Sequence, residues 1–407
     1  MPKKLYQPIS AVCKDCGKDF VITSEEQKYF RSKGYVLPKR CLECRKIRKE
    51  ARSAAEHEER EIWEAIEKEE RQKRLEKDER ELEQMLKIIP FPQTSVDKIL
   101  LKDPVSTLVV IGNGFDLMHG VKSSYWEFQK TIGKKSPLRF YMETYLDTAN
   151  LWSDLEDALG RLNYSMFLDP DILDLWLDSF GAYDPDAQTA DFYAAVETAI
   201  APTFEIPREL YRKLKKWVKT LSVESDNRPF AMLHGDYKVL SFNYTEFIES
   251  LYGAKPDHIC YIHGCRRNRA GGKAGELVLG HKPGMEEEQW DKVKLKPVQL
   301  KDPYKRYMLE AALETAVREA LWYEETTTKK SCDIINSHRQ FFDGLRDMKE
   351  IYVIGHSLSE VDYPYFTEVS KKTSAKWFIG YHSLDDLKRL LTFIDRMELS
   401  EVSVFRT

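Results

Sequence analysis

The sequence predicts an α/β protein: a Rossmann-like, mostly parallel sheet with a helical insertion, preceded by a small zinc ribbon and a long charged helix. Three observations carry this expectation. Apolar runs such as Thr107-Leu108-Val109-Val110-Ile111 stop abruptly at small or polar residues, as strands do when a parallel sheet buries both their faces. Stretches with helical periodicity separate those runs. Ahead of them stand two Cys-x-x-Cys pairs and a run of Glu, Lys and Arg without glycine or proline.

Composition sets outer limits. With 407 residues, 42% hydrophobic and 12% aromatic, the chain is globular and long enough for two or three units. A formal net charge of -4 argues against a nucleic-acid coat formed by the whole surface, although charge is unevenly spread. The first residues lack the apolar core of a signal peptide, and no apolar run approaches the roughly 20 residues that span a bilayer. A cytoplasmic protein without a membrane partner is expected. Four of seven cysteines stand in pairs, which fits metal binding in a reducing compartment better than disulfides.

Residues 1–48 form the expected ribbon. Cys13, Cys16, Cys41 and Cys44 make two knuckles of similar shape, each placing two thiolates within reach of one tetrahedral zinc. The intervening segment supplies little core, so this zinc is structural. Lys39, Arg40, Arg45, Lys46, Arg48, Lys49 and Arg52 cluster around and after the second pair, as a solvated helix start or as a nucleic-acid contact. Residues 49–92 are the connector: a helix from Arg45 to about Lys87, stopped by Pro90 and Pro92. Its apolar residues, among them Ile62, Ile66 and Leu75, are too sparse for a heptad seam, so it is expected to be a solvated spacer. A boundary at 90–104 leads to the third unit, 100–407.

In that unit the first strand enters Gly112-Asn113-Gly114-Phe115-Asp116, a turn that can bring backbone N–H groups against a phosphate or ribose. Asp116 either faces the ligand crevice or caps a helix. Ser123 or Ser124 opens the next helix. Residues 138–221 read as helical with breaks near Pro170, Pro185 and Pro202, within an insertion spanning about 136–230. There the carboxylates Asp154, Glu156 and Asp157 lie on a solvated face or on a substrate-lining one, the former being favoured. Strands follow at 238–245, 258–264 and 277–281, helices at about 304–326 and 334–347, and further strands near 350–356, 377–381 and 402–405. Polar strand ends at Asn113 and Asp116, Asn243, His263, and His356 with Ser357 would gather along one sheet edge.

The ordered combination Ile-Gly-Asn-Gly-Phe-Asp, Ser-Phe-Asn-Tyr-Thr, Ile-His-Gly, Leu-Gly-His and Ile-Gly-His-Ser-Leu-x-x-x-Asp resembles the AbiH family of bacterial abortive-infection proteins, from about Thr107 to the C-terminus. Those proteins in turn resemble the sirtuin-like NAD-binding fold. The resemblance implies that Gly112, Gly114 and Asp116 hold a dinucleotide, that Asn243 orients a water or the ribose, and that His263 is the base. Asn113 departs from the small residue usual in sirtuin-like proteins, and the core lacks their inserted four-cysteine module. Hydrolysis of NAD at the nicotinamide–ribose bond is therefore favoured over protein deacetylation.

The side chains suit that chemistry, since a neutral imidazole can accept a proton and an asparagine can place a water without adding charge. The expectation is an anti-phage effector with structural zinc and NAD as substrate or ligand; Gly112, Asn113, Gly114, Asp116, His356 and Ser357 bind the nucleotide, and Asn243 and His263 act on it. The ribbon is expected to contact nucleic acid or a phage component, and self-association is left open. Two alternatives stand beside it: a nucleotide or nucleic-acid sensor without catalysis, and a metal-assisted nuclease using Asp116, His263, His281 and His356.

Overall fold

The computed structural model describes residues 7–96, 99, 101–146, 149–163, 166, 169–224, 228–267, 276–283 and 300–407. The chain divides into two compact units, Met1–Gln84 and Met85–Thr407.

In the first unit, β1 (Ile9–Val12) and β2 (Asp19–Ile22) form an antiparallel hairpin with Ile9 opposite Ile22. Helix α1 (Ser24–Ser32) starts at Thr23, whose hydroxyl accepts from the Glu26 N–H while Glu26 reaches back, a reciprocal cap. Helix α2 runs over Leu42–Ile88, 47 residues or about 70 Å at the usual rise. Pairs such as Glu69 with Lys73, four apart, lie along its solvated surface. Between residues 7 and 53 only Cys13, Ile22 and Gln27 are buried, so apolar burial contributes little there.

The second unit is built on a seven-stranded sheet: β3 (Gln93–Ser95), β4 (Thr107–Ile111), β5 (Lys238–Ser241), β6 (Ile259–Tyr261), β7 (Glu350–Ile354), β8 (Lys376–Tyr381) and β9 (Val402–Arg406). Their order is β3-β9-β8-β7-β4-β5-β6, with every neighbouring pair parallel. Strand order reverses between β4 and β7, the switch point of a doubly wound sheet. Leu108 to Ile111 are all buried, as an apolar run without alternation requires. Val109 and Ile111 join one cluster with Phe115, Tyr237, Val239 and Ile354.

Helices α3 (Asn113–Met118), α4 (Tyr125–Ile132), α5 (Pro137–Tyr145), α6 (Leu155–Leu159), α7 (Pro170–Ser179) and α8 (Thr189–Val218) lie between β4 and β5. Helix α9 (Phe247–Tyr252) follows β5; α10 (Pro303–Thr327), α11 (Ser331–Ser337) and α12 (Arg339–Asp343) precede β7; α13 (Tyr363–Lys372) and α14 (Leu384–Arg396) follow β7 and β8. Phe128 of α4 and Met142, Leu155, Phe192 and Leu214 of the insertion share one core with Leu309, Ala312 and Tyr323 of α10.

Several local expectations change. The expected break at Pro202 is absent: α8 continues through Pro202 and Pro207, both buried, because packing of its apolar face outweighs the lost backbone donors. The segment expected as a boundary supplies β3, paired through Gln93 and Thr94 to Val404 and Phe405. Three largely polar residues give no periodic signal. The 277–281 segment is not a strand and forms only an isolated bridge between His281 and Thr328. Helix α3 begins directly at the glycine turn, while Ser124 caps α4 by accepting from the Glu127 N–H.

Candidate functional site

Strand register places the candidate residues. Ile354, Ile111, Ser241 and Tyr261 stand side by side at the carboxyl ends of β7, β4, β5 and β6. His356, Asn113, Asn243 and His263 each lie two residues beyond, so four adjacent strand ends deliver them to one edge.

Glycine makes the first contact at that edge. A Cβ on Gly112 would lie 2.7 Å from the His356 Cα, and one on Gly114 would lie 2.8 Å from the Gly355 Cα. Gly355 has φ +63°, and the Gly114 N–H donates to its carbonyl at 2.7 Å. The glycines therefore let the turns after β4 and β7 interlock. The Gly114 N–H, expected to face a phosphate, is spent on this turn contact.

Asp116 sits in the first turn of α3 and is buried. Its carboxylate accepts from Asn243 Nδ2 at 2.9 Å and Thr245 Oγ1 at 2.5 Å, so it ties α3 to the β5 end instead of capping a helix. Burial pushes the Asp116 carboxyl up to about 7 despite those donors and the nearby Arg266. Asn243 is itself buried, and among the described residues its Oδ1 has no hydrogen-bond partner. An orphaned buried acceptor of this kind costs about 1–3 kcal/mol unless a ligand or water meets it.

Phe242 separates two histidines, its ring centroid 5.1 Å from that of His263 and 4.3 Å from that of His356. Both imidazoles face Asp362: His263 Nε2 is 3.5 Å from Oδ1, and His356 Nε2 is 3.5 Å from Oδ2. His356 Nδ1 accepts from the Leu358 N–H at 2.9 Å, which leaves a ring hydrogen on Nε2 to face the carboxylate.

At the centre is Lys329, fully buried, with Nζ 2.8 Å from Glu156 Oε1, 3.1 Å from Asp362 Oδ1 and 3.4 Å from His263 Nε2. Burial opposes its charge, but the Asp362 and Glu156 carboxylates more than offset this and raise its pKa. Burial also works against the Asp362 anion, yet Lys329 and the two histidines hold that carboxyl well below its usual range. Burial pushes Glu156 up to about 7 against the pull of Lys329. His263 is pushed down to about 4, first by burial and then by the Lys329 ammonium, so its imidazole is neutral at neutral pH.

Glu156, for which sequence favours the solvated face over the substrate-lining one, is thus in the site; it stands beside Leu155 in a short amphipathic turn where sequence does not distinguish inward from outward. Lys329 was not a candidate either. Its locator was the Leu-Gly-His motif: a Cβ on Gly280 would lie 2.3 Å from the Thr327 carbonyl, the His281 N–H donates to that carbonyl at 2.8 Å, and the Lys329 N–H donates to the His281 carbonyl at 2.9 Å. His281 Nε2 contacts Thr327 Oγ1 at 3.1 Å and Glu324 Oε2 at 3.2 Å. Its work is to fix the end of α10 and so aim Lys329.

Asn113 and Ser357 are exposed; Asn113 Nδ2 donates to the Ser123 carbonyl at 3.0 Å, and the Ser357 carbonyl accepts from Arg389. They flank the buried group. Asp116, His263, His281 and His356 do not gather as ligands: among the described residues, only Cys13, Cys16, Cys41 and Cys44 come together as a set that could hold a metal.

Those four sulfurs lie within 4.8 Å of one another, a spacing suited to one tetrahedral zinc. Cys13 and Cys16 flank the turn after β1, whereas Cys41 directly precedes α2 and Cys44 lies in its first turn. The second pair is therefore a helix start and not a second hairpin knuckle. Backbone N–H groups of Cys16 and Cys41 lower the Cys13 thiol to about 6, and hydrogen bonding among the thiols pushes Cys44 up to about 12. One thiolate forms readily, and zinc would draw off the remaining protons.

Fold and site together define a doubly wound α/β core with a buried polar cluster at its carboxyl edge, preceded by a four-cysteine zinc module. Residues 108–381 match the family model for bacteriophage abortive infection AbiH, and the chain belongs to that family. Residues 9–53 match a model described as "Probable treble clef domain", consistent with a helix start supplying two of the cysteines. No curated protein and no solved structure matches the chain.

Proposed function

We propose that this AbiH protein binds a nucleotide at the carboxyl edge of β7, β4, β5 and β6 and hydrolyses NAD at the nicotinamide–ribose bond, so that infection triggers NAD loss. The unpartnered Asn243 Oδ1, buried on the strand end next to that of the neutral His263, carries this reading.

In the reaction, the bond between the ribose C1′ and the nicotinamide nitrogen breaks, and its electron pair leaves with nicotinamide, which becomes neutral. Water oxygen bonds to C1′, and one water proton is released. Asn243 Oδ1 accepts a hydrogen bond from that water or from a ribose hydroxyl. His263 Nε2 takes the proton, and Asp362, 3.5 Å away, stabilises the imidazolium. Lys329 opposes a permanent charge on His263, which keeps the base free between turnovers. Asp362, held ionised, offers negative charge to the oxocarbenium-like state. No step requires a metal in the core.

Incubating the full-length protein, purified from uninfected and phage-infected cells, with NAD tests this. Nicotinamide and ADP-ribose should appear in equal amounts, and Asn243→Ala and His263→Ala should abolish them while remaining folded. Absence of cleavage in both preparations would contradict hydrolysis; retained nucleotide binding would then favour the sensor.

A further inference from the structure

The zinc module carries a charge that the core chemistry leaves unexplained. Residues 1–53 hold 14 Lys and Arg against six Asp and Glu, a net charge of +8 in a chain whose total is -4. Zinc bound by four thiolates would carry a charge of about -2, which offsets only a small part of this excess.

Their arrangement is fixed by the fold. The Lys14 N–H donates to the Lys39 carbonyl at 3.0 Å, which sets the first cysteine turn beside the segment leading into α2. Asp15 then bridges Arg40 Nε at 2.8 Å and Arg48 Nη1 at 3.8 Å. One carboxylate thus gathers two arginines next to two lysines. Lys14 and Lys39 are exposed, as are Lys46 and Lys49, one turn apart on α2, and among the described residues none of the four forms an ion pair. Ordering several like charges on a rigid metal-held frame works against stability, and such a surface is suited to closely spaced phosphates.

We propose that the surface formed by Lys14, Lys39, Arg40, Lys46, Arg48 and Lys49 binds the phosphate backbone of nucleic acid. Recognition is electrostatic and largely independent of sequence, because Asp15 engages the two arginines and the four lysines act as point charges on exposed stems. The inference is independent of NAD hydrolysis by the core.

The test is fluorescence anisotropy of the zinc-loaded full chain with a labelled 20-base-pair DNA duplex and with a 20-nucleotide RNA, from 50 to 200 mM salt. If three phosphates are neutralised, Kd for the duplex rises roughly 40-fold over that range. Lys14→Glu with Lys39→Glu, and separately Lys46→Glu with Lys49→Glu, should each weaken binding roughly ten-fold or more with zinc content unchanged. These lysines are exposed, so the variants fold. No binding at 50 mM salt, binding indifferent to both charge reversals, or equal binding to vesicles of anionic lipid with the same salt response would overturn the proposal.

Discussion

The two polar centres of this molecule are built in opposite ways. The four cysteines span residues 13–44 and gather around sulfur, with almost no apolar burial beneath them. The core cluster draws Asp116, Glu156, Asn243, His263, Lys329, His356 and Asp362 from seven places, each fixed by a strand end, a helix turn or a glycine contact. The first centre should fail when its metal is removed, while the second should fail when one charge is removed.

The largest difference is expected on chelation. Structural zinc contributes on the order of 10 kcal/mol to small domains, far more than the few buried side chains of residues 7–53 can replace. EDTA, or Cys13→Ser, should expose the amides of that segment to hydrogen exchange while β4, β5 and β7 stay protected. Loss of protection in the sheet would show that the centres are not independent.

Lys329→Met sharpens the contrast from the other side. It leaves Asp362 and Glu156 buried without their cation, which costs about 3–5 kcal/mol. Denaturation followed by fluorescence of the buried Trp152, Trp217 and Trp377 should shift by that amount, with zinc content unchanged. Asn243→Ala should act more gently, about 1–3 kcal/mol, by leaving Asp116 Oδ1 short of its donor.

The pH response is smaller again. Asp116 and Glu156, both raised to about 7, keep protons in the native state that the unfolded chain gives up near its ordinary carboxyl values. Their contribution is complete below those ordinary values and is lost as pH rises through 7. His263, lowered to about 4, acts in the other direction: stability falls as pH drops below the ordinary imidazole value of 6.5. From roughly pH 5 to 6.5 these two carboxyls, offset in part by this imidazole, contribute a decline of about 1.4 kcal/mol per pH unit. Glu156→Gln should change that slope by about 1.4 kcal/mol per pH unit, in the direction of a weaker decline. An unchanged slope would mean that Glu156 does not hold its proton in this window.

The smallest effect belongs to the flanking pair. Asn113→Ala and Ser357→Ala should change stability by less than about 0.5 kcal/mol, since both residues are exposed. If either lowers nucleotide affinity, the exposed rim of the site belongs to the ligand.

Sequence made some of this legible and hid the rest for physical reasons. The cysteine pairs were readable because their ligands are close together along the chain. The polar strand ends were readable because β7, β4, β5 and β6 share a register, so an abrupt end to an apolar run is itself a position in space. Lys329 was not, because a lysine following Thr-Thr-Thr resembles a solvated loop until His281 and Gly280 close on it. Glu156 was hidden by the same ambiguity, its burial being decided by a lysine 173 positions further on. The role of Gly112 and Gly114 was half visible: a close backbone approach was expected, and its nearest partner is the turn at Gly355.

A structure of the protein with ADP-ribose tests the central claim most directly. The account predicts a ribose hydroxyl or a bound water within about 3.2 Å of Asn243 Oδ1, with His263 and Asp362 facing the C1′ side. ADP-ribose bound away from the β5 and β6 ends, with that oxygen still unpartnered, would contradict it.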